Sequence, residues 1–507
     1  MCLLLILFAG CKVGPNYKPP ESRVPKGFLG ATTRPATTRP ASIANEQPAD
    51  VAAWWATFDD PMLQSLIARA AEQNLDVRQA AARVREARAS RRAVGANLWP
   101  FLDTSASYRR AGGGGDGGES DLFNAGIDAS WELDIFGGRR RDIEAANADV
   151  RAAVEDRRDV LITLLSEVAL TYLDLRGFQR QIHIANDNLI AQRRSAGLTQ
   201  RLFAGGFSSR LDVANATAQV ASTESQIPLL EANVQQTIFT LGVLLGQEPT
   251  ALLEELAGGG SIPPVPPAVP VGLPSDLLRR RPDIRRADAQ LHAATARIGS
   301  ATADLFPRFT LNGSVGYQGA RPGNLFNAGN RNWSVGPGVS WPLFNAGQIR
   351  AEIAVQNARQ EQALLAYRQA VLNALREVEN ALISYTKEQE RRASLSDAVV
   401  ANRQAVELST QLYSNGRTDF LNVLSAQRSL LSSEDALVQS DRVLAQNLIA
   451  LYKALGGGWE FEEQPPSAAA TRPTPDSQGP QVPPASEDLP PATPPALATQ
   501  PAAPPTR

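Results

Sequence analysis

The residues able to do chemistry are few and scattered. The 507-residue sequence holds two histidines, His183 and His292, and two cysteines, Cys2 and Cys11. Histidines this far apart, with both thiols at the extreme N-terminus, make no metal-ligand or acid–base constellation. Asp and Glu fall at helical intervals among Arg, the pattern of a solvated helix face. The Gly-rich run Gly112–Gly118 follows Arg109 and Arg110 and invites comparison with a phosphate loop. No Lys-Ser/Thr closes it and no helix follows, so that template fails, and a flexible loop between two strands is expected. Neither a Ser-His-Asp nor a Cys-His arrangement is legible. The expectation is a protein that is not an enzyme, without cofactor or metal.

Cys11 has surroundings that do point to chemistry. The apolar run Leu3–Phe8 is followed by Ala9-Gly10-Cys11. Small residues before a cysteine and after an apolar stretch read as a lipoprotein cleavage site. Residues 1–10 would then be a signal remnant and Cys11 the lipidated first residue. A clipped ordinary signal peptide or an incidental apolar start accounts for the same residues. A signal normally begins with Lys or Arg, and none precedes Leu3, so the true start is expected upstream of Met1. One lipid chain anchors weakly and several anchor lastingly.

Composition removes whole classes. Charged residues are 20% and aromatics 6%, and the net charge is −2. That excludes a polytopic helical membrane protein and gives no basic footprint for nucleic acid. No run of eighteen apolar residues exists, so no transmembrane helix is expected.

The elements that organise the chain repeat. Residues 11–52 are rich in Pro, Ala and Thr, with ATTRP doubled at 31–35 and 36–40, and read as a linker. Residues 460–507 form a Pro/Ala-rich tail, expected to be disordered. The body between them is a tandem duplication, 53–257 and 275–459, joined by the Pro-rich seam 258–274. At an offset of 207 residues, Leu75-Asp76-Val77-Arg78 falls on Pro282-Asp283-Ile284-Arg285, and Leu98-Trp99-Pro100 on Leu305-Phe306-Pro307. At an offset of 210, Ser130-Trp131 falls on Ser340-Trp341, and Leu211-Asp212-Val213 on Leu421-Asn422-Val423.

Each half reads helix, two strands, long helix, turn, long helix. Strands are expected over about 100–133 and 307–342. Phe123, Ala125, Ile127, Ala129, Trp131 and Leu133 alternate with polar residues or glycine, and Trp333, Val335, Val339 and Trp341 do the same. Period two with one apolar face means a sheet with one wet side. Pro337 suggests a bulge. Soluble sandwiches alternate too, but Trp99, Trp131, Phe306, Tyr317, Trp333 and Trp341 sit at strand ends, as the aromatic girdles of a membrane barrel require. Four strands cannot close a barrel, and open edges are forbidden in lipid, so the chain must oligomerise. Long helices are expected over about 139–246 and 348–455. The run from Gln348 lacks Pro and Gly for roughly 65 residues, ~97 Å at 1.5 Å per residue. Pro228 should kink the first return helix.

These residues resemble a known family. Gly10-Cys11-Lys12-Val13-Gly14-Pro15-Asn16-Tyr17, Trp54-Trp55-Ala56-Thr57-Phe58, Arg281-Pro282-Asp283-Ile284, Ser340-Trp341-Pro342-Leu343-Phe344 and Leu424-Ser425-Ala426-Gln427 are similar, in order, to blocks of NodT-type outer-membrane lipoproteins, within the TolC-type efflux factors. The resemblance implies a homotrimer. Three chains would give a twelve-stranded β-barrel continued by a twelve-helix periplasmic α-barrel. It also implies a passive exit duct for small molecules, anchored in outer-membrane lipid and opened by docking to a periplasmic adaptor and an inner-membrane RND-type pump. A type I secretion duct is the runner-up, and a non-channel coiled coil the third reading. The inner end would lie where the helices turn. Gly205, Gly206, Ser209, Leu211, Asn415, Gly416 and Leu421 are the docking candidates, though hairpin turns need the glycines regardless. Arg210, Asp212, Tyr413, Arg417 and Asp419 are the gate candidates, against a plain role as solvated surface. Ser425 stands where many relatives carry an acid, which speaks against an acidic ring there.

Overall fold

The computed structural model describes residues 12–21, 25, 27–29, 43–45, 51–112, 119–265, 268–270 and 274–460. The proposed signal remnant, the lipidation site Cys11 and residues 461–507 lie outside them. Helices α1 (Pro61–Gln73) and α2 (Leu75–Ala96) lead into strands β1 (Phe101–Ala111) and β2 (Ser120–Leu133). Helix α3 (Gly138–Ala204) follows, then α4 (Arg210–Glu224) and α5 (Ile227–Leu244). The second half has α6 (Pro282–Ala303), β3 (Arg308–Gly319), β4 (Arg331–Ser340), α7 (Gln348–Ser414) and α8 (Phe420–Ala454). The duplication is carried to the residue. Both ends of α2 and α6 differ by the offset 207, and both ends of α3 and α7 by 210.

Local chemistry sets the boundaries. Asp60 caps α1 by accepting from the Met62 and Leu63 N–H groups, with Pro61 at the first helical position. Buried Asn74 caps α2 through Asp76 and Val77 N–H and donates its amide to Leu244 O at 2.8 Å. Helices α3 and α7 each hold 67 residues, ~100 Å of rod at 1.5 Å per residue. Both start after a left-handed glycine, Gly137 and Gly347. Glycine takes that conformation without the Cβ clash that penalises other residues.

One apolar cluster dominates, where the middle of α3, the middle of α7 and the C-terminal part of α8 meet α1 and the turn Trp54–Phe58. Trp54 stacks on Tyr452 at 5.8 Å, and Phe58, Leu66, Leu165 and Leu173 are fully buried. Toward the helical turns the packing becomes polar. Asn188 donates to Glu434 at 2.9 Å and Gln427 to Ser195 at 2.9 Å, both buried. A smaller apolar cluster of Tyr413, Phe420, Val423, Leu424 and Ala216 closes the far end.

Buried Tyr172 ties α3 to the α1 cap, donating to Asp60 Oδ2 at 2.7 Å while Arg176 Nε donates to its oxygen at 3.0 Å. Burial, then the bond to Asp60, pushes its phenol from 10.0 up to about 12. A raised acid pKa means that the neutral form stabilises the fold. That contribution is complete below pH 10 and is lost as pH rises toward 12. Thermal stability is therefore expected to fall over this window, and Tyr172→Phe to flatten the fall. An equal alkaline slope in the variant would refute the assignment.

Three sequence expectations change. Pro228 does not kink one helix but divides it: α4 stops at Glu224, and Ser225 and Gln226 form a turn before α5. Lacking an N–H, proline cannot continue the ladder and sits best in a first turn. Pro337 makes no bulge. It stays in one-to-one register opposite Leu311. An edge strand uses only alternate N–H groups against its single partner, so a proline fits. Nor are the described residues within the 11–52 segment simply a linker. Arg141, 1% exposed, donates to Val13 O, Gly14 O and Asn16 Oδ1. Tyr17 bonds Asp288 and stacks on His292 at 4.3 Å, and Phe28 enters the main core. Within the seam, Ala268–Pro270 pairs in parallel with Ile43–Asn45.

Candidate functional site

The four long strands form one antiparallel sheet in the order β1-β2-β3-β4. Side chains directly opposite share a face, so register decides what each face presents. Leu102 opposes Ala129, Thr104 Ile127, Ala106 Ala125 and Tyr108 Phe123. Ile127 then opposes Val315 and Trp131 opposes Leu311, and across the last ladder Val315 opposes Trp333 and Phe309 opposes Val339. One face is therefore apolar across all four strands. The other carries Asp103 opposite Asp128, Asn124 opposite Gln318, and Ser314 opposite Ser334.

Among the described residues the apolar face has no cover. Val335 is 66% exposed and Trp333 70%, and Ile127, Val315 and Val339 are exposed as well. Among the described residues β1 and β4 each have one unpaired edge. A sheet that leaves one greasy face and both edges free meets neither requirement of a soluble fold.

The predicted girdle residues separate into two levels. Trp99, Trp131, Phe306 and Trp341 gather at the end of the sheet that joins the helices. Trp131 Nε1 donates to Leu98 O at 2.9 Å, and Trp341 Nε1 makes the repeat-related bond to Leu305 O at 3.1 Å. Phe306 stacks on Phe136 at 4.5 Å. Tyr317 and Trp333 lie toward the opposite end, joined by Phe326, 5.4 Å from Tyr317. Phe326 and Phe136 escaped the sequence reading because neither sits on an alternating strand.

At the far end of the long helices the two turns share one geometry. Gly206 and Gly416 have positive φ. Phe207 N bonds Leu202 O and Arg417 N bonds Leu412 O, at 2.8 and 2.9 Å. Gly206 N bonds Phe203 O and Gly416 N bonds Tyr413 O, completing a Schellman ending in each repeat. Gly205 and Asn415 are the ordinary C-caps just before. Ser209 and Asp212 form a reciprocal capping box that opens α4. Burial raises the Asp212 carboxyl, but bonds from the Ser209 N–H, the Ser209 hydroxyl and the Ser208 hydroxyl outweigh it and lower the pKa. Tyr413 is buried against Phe420, with its hydroxyl near Ser208 and Thr199 at 3.2 and 3.4 Å. Arg210, Arg417 and Asp419 are exposed and make no ion pair among the described residues. Leu211 and Leu421 are 68% and 64% exposed. Phe207, 84% exposed, is a further apolar knob that the sequence reading passed over; its place after Gly206 was the available signal.

The φ of Gly416 is +67°. A β-branched residue there costs ~1–2 kcal/mol through the Cβ–carbonyl clash. Gly416→Val is expected to raise amide exchange over 412–422 without changing that at the main core. Unchanged exchange at the turn would contradict this.

No helix among the described residues is long and apolar enough to cross a membrane, and no group of three metal-ligating side chains forms among them. Comparison with known proteins gives a consistent answer. Residues 66–247 and 273–457 match the family model described as outer membrane efflux protein. The chain is 34% identical over 460 residues to Nodulation protein T of Rhizobium leguminosarum bv. trifolii, covering 90% of this chain and 96% of that protein. It is 35% identical over 441 residues to the pyoverdine export outer membrane protein OpmQ of Pseudomonas aeruginosa, covering 85% and 92%. Among solved structures, the outer-membrane channel OprN superposes with a TM-score of 0.83 at 38% identity, over 89% of this chain and all of that one.

Proposed function

Because the chain belongs to the outer membrane efflux protein family, as a channel component of an efflux system in the outer membrane, we propose a specific assembly and working cycle for it. Three copies close the four-stranded sheets into one twelve-stranded barrel. Their twelve helical strands continue it as an α-barrel into the periplasm. The observation that carries this is the uncovered apolar face with two free edges. Lipid satisfies the face and sister chains satisfy the edges. The polar face then lines the water-filled passage. Two levels of aromatic side chains, with Trp333 and Trp341 eight residues apart, span roughly 26 Å at ~3.3 Å per residue, close to the apolar height of a barrel.

Substrates pass through without covalent chemistry, and selection falls to the inner-membrane partner, taken to be an RND-type pump. The periplasmic adaptor docks at the turns on Leu211 and Leu421, with Gly206 and Gly416 shaping both hairpins. Exposed Arg210, Arg417 and Asp419 supply the inter-chain polar contacts of the closed end, each worth only ~0–1 kcal/mol. Tyr413 and Asp212 serve it indirectly, by holding each turn rigid. Lipidation at Cys11 anchors the chain beside the barrel.

Planar-bilayer recordings on the purified full-length protein test the duct. Discrete conductance steps from a heat-stable oligomer are expected, and a monomer without conductance refutes it. For docking, Leu211→Asp/Leu421→Asp is expected to abolish adaptor co-purification while conductance persists. Undiminished adaptor binding would move the contact elsewhere.

A further inference from the structure

Resting on the ring-closure reading above, we propose which surfaces of adjoining copies meet: the flank of α2 bearing Arg85 packs on α7 of the next copy, where Arg85 pairs with Glu361.

The inference comes from an asymmetry inside the duplication. Helix α6 is flanked by two long helices, α3 on one side and α7 on the other. Its counterpart α2 has only α3. Under the two offsets, the packing of α2 on α3 corresponds to that of α6 on α7. The packing of α6 on α3 has no counterpart within the chain. A ring of copies supplies it, by laying α7 of one copy against α2 of the next.

The contact between α6 and α3 then serves as a template. There Arg151 donates to His292 Nδ1 at 2.9 Å, and Arg297 pairs with Asp149 at 2.6 Å. The offsets carry His292 to Arg85 and Arg151 to Glu361, giving opposite charges on facing positions. They carry Arg297 to Ser90 and Asp149 to Arg359, which creates no like-charge clash. Within one chain Arg85 and Glu361 are exposed, and neither has an ion pair among the described residues. Volume inverts in the same way. Inside the chain the large Arg141 lies over Gly299, where a Cβ would come within 2.7 Å of Arg141 Nε. Across copies Gly299 becomes Arg92 and Arg141 becomes Ala351, so the large side chain changes sides. An open space of about 500 Å³ between α2 and α3, lined by Arg85, Arg88, Arg91, Arg92, Asn147 and Val150, borders the same flank.

The full-length chain, membrane-inserted, decides the matter. Arg85→Cys/Glu361→Cys treated with a short bismaleimide is expected to give covalent ladders up to the complete ring on denaturing gels, and neither single variant should. Arg85→Glu is expected to lose the heat-stable oligomer band, and Arg85→Glu/Glu361→Arg to regain it. An intact, conducting oligomer with no ladder and no response to charge reversal overturns this pairing alone. Absence of any oligomer from the unaltered chain overturns the ring and the pairing together.

Discussion

Val335→Arg is expected to abolish stable membrane insertion, whereas Ser334→Arg, one residue away, should insert normally and lower conductance. Val335 lies on the apolar face of β4 opposite Gly313, between the two aromatic levels. An arginine facing lipid near mid-depth costs ~2–4 kcal/mol per copy. Each copy in the proposed ring incurs that cost, so the three together lose ~6–12 kcal/mol of insertion free energy. Ser334 points the other way, opposite Ser314, with hydroxyls 2.8 Å apart. An arginine there meets water and narrows the passage. Membrane fractionation with single-channel recording separates the outcomes. Equal insertion of both variants would mean that the apolar face does not meet lipid.

Arg141→Ala is expected to lower stability by about 2–4 kcal/mol and to free the N-terminal segment. Arg141 is buried, and its guanidinium satisfies Val13 O, Gly14 O and Asn16 Oδ1 while pairing with Glu144 at 3.1 Å. Removing it leaves the part-buried carbonyls of Val13 and Gly14 without this donor and opens a void over Gly299. Gly14 cannot compensate, because its φ is +82° and a Cβ there would lie 2.5 Å from Gly299 Cα. The segment bridges α3 of the first repeat and α6 of the second, so its release loosens the two halves. Arg141→Lys keeps the charge but not the fork, and should recover only part of the loss. Thermal unfolding and limited proteolysis within residues 12–21 report both effects. An unchanged midpoint with an intact segment would show that the clasp contributes nothing.

The periodic elements were legible because their physics is local. Alternation around Ile127 and Trp131 fixes a strand face, and the long run without Pro or Gly after Gln348 fixes a helix. The internal offsets aligned the segment of α2 with that of α6 and α3 with α7, and the ends of each pair keep those offsets in the fold. The turn glycines Gly206 and Gly416 were legible for the same reason, since few other residues tolerate the left-handed conformation. Pro228 was half legible: the missing N–H was certain, but only surrounding packing decides between a kink and a break.

Sequence by itself thus determined the repeat, the strand faces and the rods, since each follows from side-chain period and backbone sterics within a short window. Tertiary structure alone decided the register that merges four apolar faces into one, the burial of Tyr413 and the clasp of Arg141 on Val13, Gly14 and Asn16. It also left α2 with an open flank where α6 has none. Those outcomes depend on which distant segments come into contact, and the free energy of such contacts is not encoded in any local pattern.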